Sequence, residues 1–343
     1  MHVAFIIENW ANIEPLKSTT LSVIKECMSR GHKVSILYTH DLTVRDNIVH
    51  GFAKTLKFEG KVPDSVTSFY KKTTYAVKLI SLHAFDCIMI RKDPPISPLV
   101  FNFLDSVKDE TIIINDIDGI RKANNKLYTT TFHDPTNTYL PKTHVSGSKK
   151  YIKKIIEESD DEKMILKPLD GSGGRGVIVL EKGATSNINS LLDFYIDDSG
   201  ENYVILQEYI EGAENGDVRV MMLNGKAIGA YHRKPAEGEH RANIQTGGTA
   251  HKYTLTESQK RICIKVGKKL LADGIYFAGL DMIGDKILEV NVLNPGGITN
   301  INKLSKLKLH KNVVDFLEEK VHEKVEKRAE LEYLLKRLSE LKE

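Results

Sequence analysis

Short apolar runs alternating with helix-length polar stretches mark residues 1 to about 120. The runs at 3–7 (VAFII), 33–38 (KVSILY), 86–90 (DCIMI) and 111–115 (TIIIN) read as buried strands. Between the first two, Ser18, Thr19 and Thr20 offer N-caps for a helix that continues through Ser29 and ends at Gly31. The alternation predicts a parallel sheet with crossover helices, whose function collects at loops after strand ends. Two loops qualify, one at 12–20 and one at 91–95 (RKDPP). In the second, Arg91, Lys92 and Asp93 sit on a stiff Pro-Pro turn, either as a clamp for a zwitterionic substrate or as a plain surface turn.

From about 121 to 210 the texture changes. A strand at 163–168 (KMILKP) is followed by LDGSGGRG and a second strand at 177–180 (VIVL). Gly171, Gly173 and Gly176 spell GxGxxG, but β-branched residues follow at once where a dinucleotide fingerprint needs a helix. The glycines therefore read as a hairpin loop between antiparallel strands, able to close over ATP phosphates with backbone N–H groups, with Lys167 adding a point charge. A loop without a ligand is the plain alternative. The run at 203–210 (YVILQEYI) reads as a buried strand whose exit, from Gln207 to Ile210, has backbone free to read an adenine edge. DVRVMM at 217–222, Asn224-Gly225 and the run 226–234 predict a hairpin with a type I′ turn, placing Asp217 and Arg219 on one strand face. Arg233, Arg241, Asn243 and Gly247-Gly248 precede a helix at 256–273 capped by Gly274. Such arginines are either a solvated edge or, beside acids, the positive wall of an anion site.

Those acids lie in GLDMIGDKILEVNVLNPGG at 279–297. Glu289 and Asn291 are two apart in a strand and share a face. Asp281 joins them only if the turn is right. A two-residue loop would pair position 281 with 288, whereas a three-residue loop, 284–286, pairs it with 289, and the latter is expected. Two carboxylates and an amide on one face suit a hard cation such as Mg²⁺; an edge hairpin with solvated acids is the bland reading. The tail at 312–343 predicts one charged helix. Leu331, Leu335 and Leu338 keep heptad-like spacing, but the same phase upstream lands on Lys324 and Arg328. A helix packed on its own domain is expected, with contact to a second subunit as the weaker alternative.

At 343 residues the chain is long enough for two or three domains. Forty-nine Lys+Arg against 46 Asp+Glu leave +3, with the basic residues dispersed, which argues for small anionic ligands and against a nucleic-acid partner. Cys27, Cys87 and Cys263 show no zinc or redox spacing and read as small buried groups in a reducing compartment. No stretch approaches the ~20 apolar residues of a membrane span, and the five-residue apolar run before Glu8 is a first strand. A cytoplasmic protein without a membrane partner is expected.

Six segments taken in order carry a family resemblance: RKDPP (91–95), NNKLYTTTF (124–132), ILKPLDGSGG (165–174), DVRV (217–220), GEHRANIQTGG (238–248) and GLDMIGDKILEVNV (279–292). Over roughly 1–315 the chain resembles the bacterial glutathione synthetases of the ATP-grasp superfamily. The resemblance implies an α/β chain (α+β overall) with the ATP-grasp fold. It divides into an N-terminal Rossmann-like substrate domain (1–120), a central lid with the Gly-rich loop (121–205), a C-terminal ATP-binding domain with the metal site (206–315) and the charged helix (316–343). It implies ATP and two Mg²⁺ ions, replaceable by Mn²⁺, as cofactors. Lys126 and Lys167 would contact phosphates under the loop Gly171, Ser172, Gly173 and Gly174, and Glu208, Tyr209 and Ile210 would form an adenine hinge. Asp217 would lie near the ribose, while Asp281, Glu289 and Asn291 bind magnesium. Arg219, Arg241 and Asn243 would act on the phosphoryl group, with Arg233, Arg91, Lys92, Asp93, Gly296 and Gly297 on the substrates. The implied reaction joins the cysteine carboxylate of γ-glutamylcysteine to glycine through an acyl phosphate, in a homo-oligomer (dimer or tetramer), and it requires no side-chain nucleophile. Two departures touch the substrates. VLNPGG at 292–297 replaces a Thr-Ser-Pro-Thr-like run, and Ser18 stands where the family often has Asp. A ligase for another amine or peptide carboxylate, and further off a silent ATP-binding module, are the alternatives.

Overall fold

The computed structural model describes residues 1–171, 174–181, 187–196, 202–236 and 247–340, with side chains to residue 337. It divides into two compact units, Met1–Ile117 with Lys306–Glu343, and Asp118–Ser305.

The first unit contains β1 (His2–Ile7), α1 (Thr19–Ser29), β2 (Lys33–Leu37), β3 (Leu42–Arg45), β4 (Ile48–Lys57), α2 (Val66–Lys72), β5 (Thr74–Ser81), β6 (Cys87–Arg91), α3 (Pro98–Asp105) and β7 (Ile112–Ile114). The sheet order is β3-β4-β2-β1-β6-β7, with β5 on the outer side of β4. Val3, Ala4, Phe5 and Ile6 are wholly buried, which places β1 at its centre. Ser18 accepts from the Leu21 N–H to cap α1, and Gly31, at φ 82°, supplies the left-handed residue that ends it.

The expected parallel sheet holds for β2, β1, β6 and β7. The other part is a correction: β4 pairs antiparallel with β2, β3 and β5. In β4 the period is two, with Val49, Gly51 and Ala53 inward and Ile48 and Phe52 exposed, as a one-sided antiparallel strand requires. Asp46 and Asn47, both at positive φ, make the tight β3–β4 turn. The C-terminal helix, Leu309–Glu340, packs on this unit through Val313, Val314, Phe316 and Leu317. Arg30 reaches it, donating to Asp315 at 2.6 Å and Glu318 at 2.8 Å. Leu331, Tyr333, Leu334 and Leu335 further along are exposed.

The second unit holds α4 (Ile117–Ala123, of which Ile117 belongs to the first unit), β8 (Thr143–Ser146), α5 (Lys149–Glu158), β9 (Lys163–Pro168), β10 (Ile178–Glu181), α6 (Ile188–Tyr195) and β11 (Val204–Glu208). These are followed by β12 (Asp217–Leu223), β13 (Lys226–Lys234), β14 (Thr249–Lys252), α7 (Glu257–Ala272), β15 (Phe277–Ile283), β16 (Lys286–Asn291) and α8 (Ile298–Ser305). One antiparallel sheet, β10-β9-β11-β8, buries Met164, Leu166, Val204 and Leu206 beneath Ile152 and Ile156 of α5 and Ile188 and Leu192 of α6. Lys167, Ile205 and Gln207 therefore occupy its opposite face. The second sheet, β14-β13-β12-β15-β16, is also antiparallel and packs on Ile262, Cys263, Val266 and Leu270 of α7. Asn224 and Gly225, both at positive φ, turn β12 into β13 as the Asn-Gly pair predicts.

Candidate active site

The β15–β16 hairpin brings the predicted oxygen donors together by a route different from the expected one. The turn has two residues, Gly284 and Asp285, and pairs Ile283 with Lys286 and Met282 with Ile287. A register shift next to Asp281 then pairs Asp281 with Glu289, with Leu288 the extra residue. Ile287 and Glu289 would share a face in a regular strand. The bulge switches the phase, so that Ile287 enters the core and Glu289 lies opposite Asp281. The Asn291 amide donates to Asp281 Oδ2 at 3.2 Å.

Asp281 is also held from β12 and β13. Arg219 is bidentate on it through Nε and Nη2, the latter at 2.8 Å, and Arg233 Nη2 lies 3.0 Å from Oδ1. Arg233 is itself bidentate on Asp217 at 2.5 and 2.6 Å. Two acids and two arginines thus form one buried network in which every charge is matched. Burial alone would raise the Asp281 pKa, but the two guanidinium charges outweigh it and hold the carboxyl down at about 2. Burial and the neighbouring Asp281 charge push the Glu289 carboxyl above its usual range. Arg219 Nη1 also donates to the Gly296 carbonyl at 3.1 Å. Gly297 has φ 138°, and a Cβ there would stand 2.9 Å from Tyr231, so this turn tolerates no side chain.

Lys167, on β9, is 7 % exposed and donates to the Gln207 side-chain carbonyl at 2.9 Å. Burial pulls its pKa down to about 8, with Glu289 opposing and Lys126 adding to the shift. Lys126 opens the 3-10 turn Lys126–Thr131 and donates to the Gly171 carbonyl at 2.8 Å. Gly171 and Gly174 both take positive φ, while Ser172 and Gly173 lie outside the described residues, as do Arg241 and Asn243. In the expected hinge, the Glu208 N–H donates to the Lys142 carbonyl and the Ile210 carbonyl accepts from Ala213, so these two atoms are used internally rather than free. Lys286 lies 3.4 Å from the Glu208 carboxylate, and Tyr209 Oη donates to Glu214 at 3.2 Å.

Arg91, Lys92 and Asp93 belong to the other unit, at the end of β6. Arg91 is buried and donates to Thr20 Oγ1 at 3.0 Å; Lys92 pairs with Glu8 at 2.7 Å and donates to the Asp93 and Pro95 carbonyls. Two groups escaped sequence reasoning. The sequence points to Gln207 only for its backbone, although its place on the face of Lys167 follows from strand periodicity. Asp273, read as a helix end, accepts from Tyr128 at 2.8 Å, Lys122 at 3.2 Å and Lys269, tying the segment that carries Lys126 to the end of α7.

The donor chemistry at Asp281, Glu289 and Asn291 fits a hard divalent cation. Among the described residues no three His, Cys, Asp or Glu side chains form such a group, so the third donor here is an amide. Glu289, half-buried beside a second carboxylate, is the charge a bound cation would offset.

Two family models match the chain: the N-terminal domain of prokaryotic glutathione synthetase over residues 1–121 and its ATP-grasp domain over 125–306. Among curated relatives, the glutathione synthetase of Synechococcus elongatus is 32% identical over 332 residues, covering 94% of this chain and 100% of the relative. That of Gloeobacter violaceus is 33% identical over 329 residues, covering 93% and 97%. Among solved structures, the D-cycloserine synthetase DcsG superposes with a TM-score of 0.62 at 16% identity, covering 92% of this chain and all of the other. The VanG D-Ala:D-Ser ligase of Enterococcus faecalis gives 0.60 at 11%, covering 93% and 99%. These structures are similar in fold.

Proposed function

The chain belongs to the prokaryotic glutathione synthetase family, and from that premise we propose how its residues divide the work. It has the ATP-grasp fold and is an ATP-dependent carboxylate–amine ligase. In our reading it transfers the γ-phosphoryl group of ATP to the cysteine carboxylate of γ-glutamylcysteine. The glycine amine then attacks the acyl carbon, the C–O bond to phosphate breaks, and inorganic phosphate leaves as the nitrogen loses a proton. The observation that carries this reading is the convergence of Asp281, Glu289 and Asn291 on one hairpin face, with the buried Lys167 charge felt at Glu289.

Each residue then has one task. Lys126 and Lys167 neutralise phosphate oxygens, assisted by the N–H groups of Gly171, Ser172, Gly173 and Gly174. Glu208, Tyr209 and Ile210 border the adenine and Asp217 the ribose. Asp281, Glu289 and Asn291 would hold Mg²⁺ (two ions), which screens charge on the transferring group when bound. Arg219, Arg241 and Asn243 donate to the oxyanion that forms as the amine attacks. Arg91, Lys92, Asp93, Arg233, Gly296 and Gly297 contact the substrates. The segment 121–205, built on a sheet with its own core, closes as a lid and keeps water from the acyl phosphate. The protein works in the cytoplasm as a homo-oligomer.

Mass spectrometry of the product from ATP, Mg²⁺, γ-glutamylcysteine and an equimolar set of small amines tests the reading, and glutathione is expected to dominate. A different amide would favour a second reading, a ligase retuned for another acceptor. That reading draws on the anchoring of the Gly296 carbonyl by Arg219 in a turn that departs from the family pattern. ADP release without any amide would overturn both.

A further inference from the structure

Among the described residues Lys167 makes no ion pair; its partner is a neutral amide. Lys167 Nζ donates to Gln207 Oε1 at 2.9 Å, the Gln207 amide nitrogen donates to Thr143 Oγ1 at 2.8 Å, and the Thr143 hydroxyl donates to the Pro141 carbonyl at 2.8 Å. The three side chains come from neighbouring strands, β9, β11 and β8, with Gln207 paired to Thr143 and Lys167 to Ile205. All lie on the sheet face turned away from the Leu166–Leu206 core. Gln207 is 5 % exposed and Lys167 is 7 %.

A buried ammonium needs an acceptor, and the choice of acceptor has consequences. A carboxylate would orient it but cancel its charge. An amide oxygen orients it and leaves the charge available to an anion. An amide can also flip, presenting its NH₂ group to the lysine. Here the Thr143 hydrogen is committed to Pro141, so its lone pair faces Gln207 and fixes the orientation.

We propose that Gln207 is the positioning residue of Lys167: it aims an un-neutralised ammonium at the nucleotide phosphates, and Thr143 sets which end of the amide faces it. The proposal rests on the reading of Lys167 as a phosphate contact. Gln207 carries no charge, so residue type alone does not mark its side chain as part of the site.

The test compares ATP and adenosine binding, with KM for ATP and kcat, in the full chain and in Gln207→Leu, Gln207→Glu, Thr143→Val, Lys167→Met and the Gln207→Leu/Lys167→Met pair. Gln207→Leu should weaken ATP and raise its KM about tenfold, leaving adenosine binding and kcat within about twofold. Gln207→Glu, which pairs the lysine, should weaken ATP at least as much despite its near-identical shape. Thr143→Val, the mildest change to the fold, should move the same way by less. The double variant should bind ATP no worse than Lys167→Met alone. If Lys167→Met leaves the preference for ATP over adenosine intact, the phosphate reading fails. If it removes the preference while Gln207→Leu and Gln207→Glu keep it, the positioning role fails. An equal loss of adenosine binding in Gln207→Leu would make Gln207 a base contact, which also overturns the proposal.

Discussion

Because burial and the Asp281 charge raise the Glu289 pKa, the ionised carboxylate costs folding free energy at neutral pH. A carboxyl with a raised folded pKa stabilises only below its unfolded pKa, and that contribution is lost as pH rises through the folded value. Glu289→Gln should therefore melt at or above the wild-type temperature without ligands, while turnover falls by at least about a hundredfold. Calorimetry beside a coupled ADP assay checks both, and retained turnover would sink the metal assignment. Asp281 behaves in the opposite sense. Its folded pKa of about 2 lies below an unfolded value near 3.9, so its contribution is present above the unfolded pKa and lost as pH falls through the folded one. That separation is worth on the order of 2–3 kcal/mol. Asp281→Asn also leaves Arg219 and Arg233 short of a charge, and should destabilise by roughly 3 kcal/mol at neutral pH. In urea titrations the gap to wild type should narrow between about pH 5 and pH 2.

At the scale of elements, legibility follows the strength of the local signal. Ser18 and Gly31 bound α1 as read, and Asn224-Gly225 turns where it should, because caps and left-handed turns are decided by single residues. The pairing of Asp281 with Glu289 was legible but its cause was not. A bulge at Leu288 has no residue signature, and only the burial of Ile287 in the structure shows that the strand changes phase. The antiparallel strands between Leu42 and Ser81 went unread because exposed apolar side chains such as Phe52 and Val77 blur the alternation. Gln207 was silent for a related reason, being a neutral amide inside an apolar run. The C-terminal helix divides in two. Truncation after Lys327 removes exposed Leu331, Tyr333, Leu334 and Leu335, and should leave melting temperature, activity and solution mass unchanged. Truncation after Lys311 removes buried Val313, Val314, Phe316 and Leu317 and the Arg30 pairs, and should destabilise the first unit by several kcal/mol. Light scattering and thermal melts separate the two, and a mass change on the shorter cut would assign the exposed leucines to a second subunit.

For the whole molecule, the reaction class was legible because it depends on six short segments in order, each tied to backbone or charge chemistry. The acceptor was not, because VLNPGG at 292–297 works through the Gly296 carbonyl and the bare Cα of Gly297, features that residue type alone does not convey. Metal removal should also change stability. A ligand that binds only the folded chain stabilises it by RT ln(1 + [L]/Kd), about 2.7 kcal/mol at a hundredfold excess over Kd. ADP with Mg²⁺ should therefore raise the melting temperature of the wild type by a few degrees. Chelating the metal should remove part of that rise, since nucleotide phosphates would then face the Glu289 carboxylate, Asp281 being already matched by Arg219 and Arg233, with Lys126 and Lys167 to offset it. In Glu289→Gln the nucleotide effect should be smaller from the outset and insensitive to the chelator. Equal chelator sensitivity in both proteins would mean that the metal enters with the nucleotide alone and that the hairpin face is not its protein ligand.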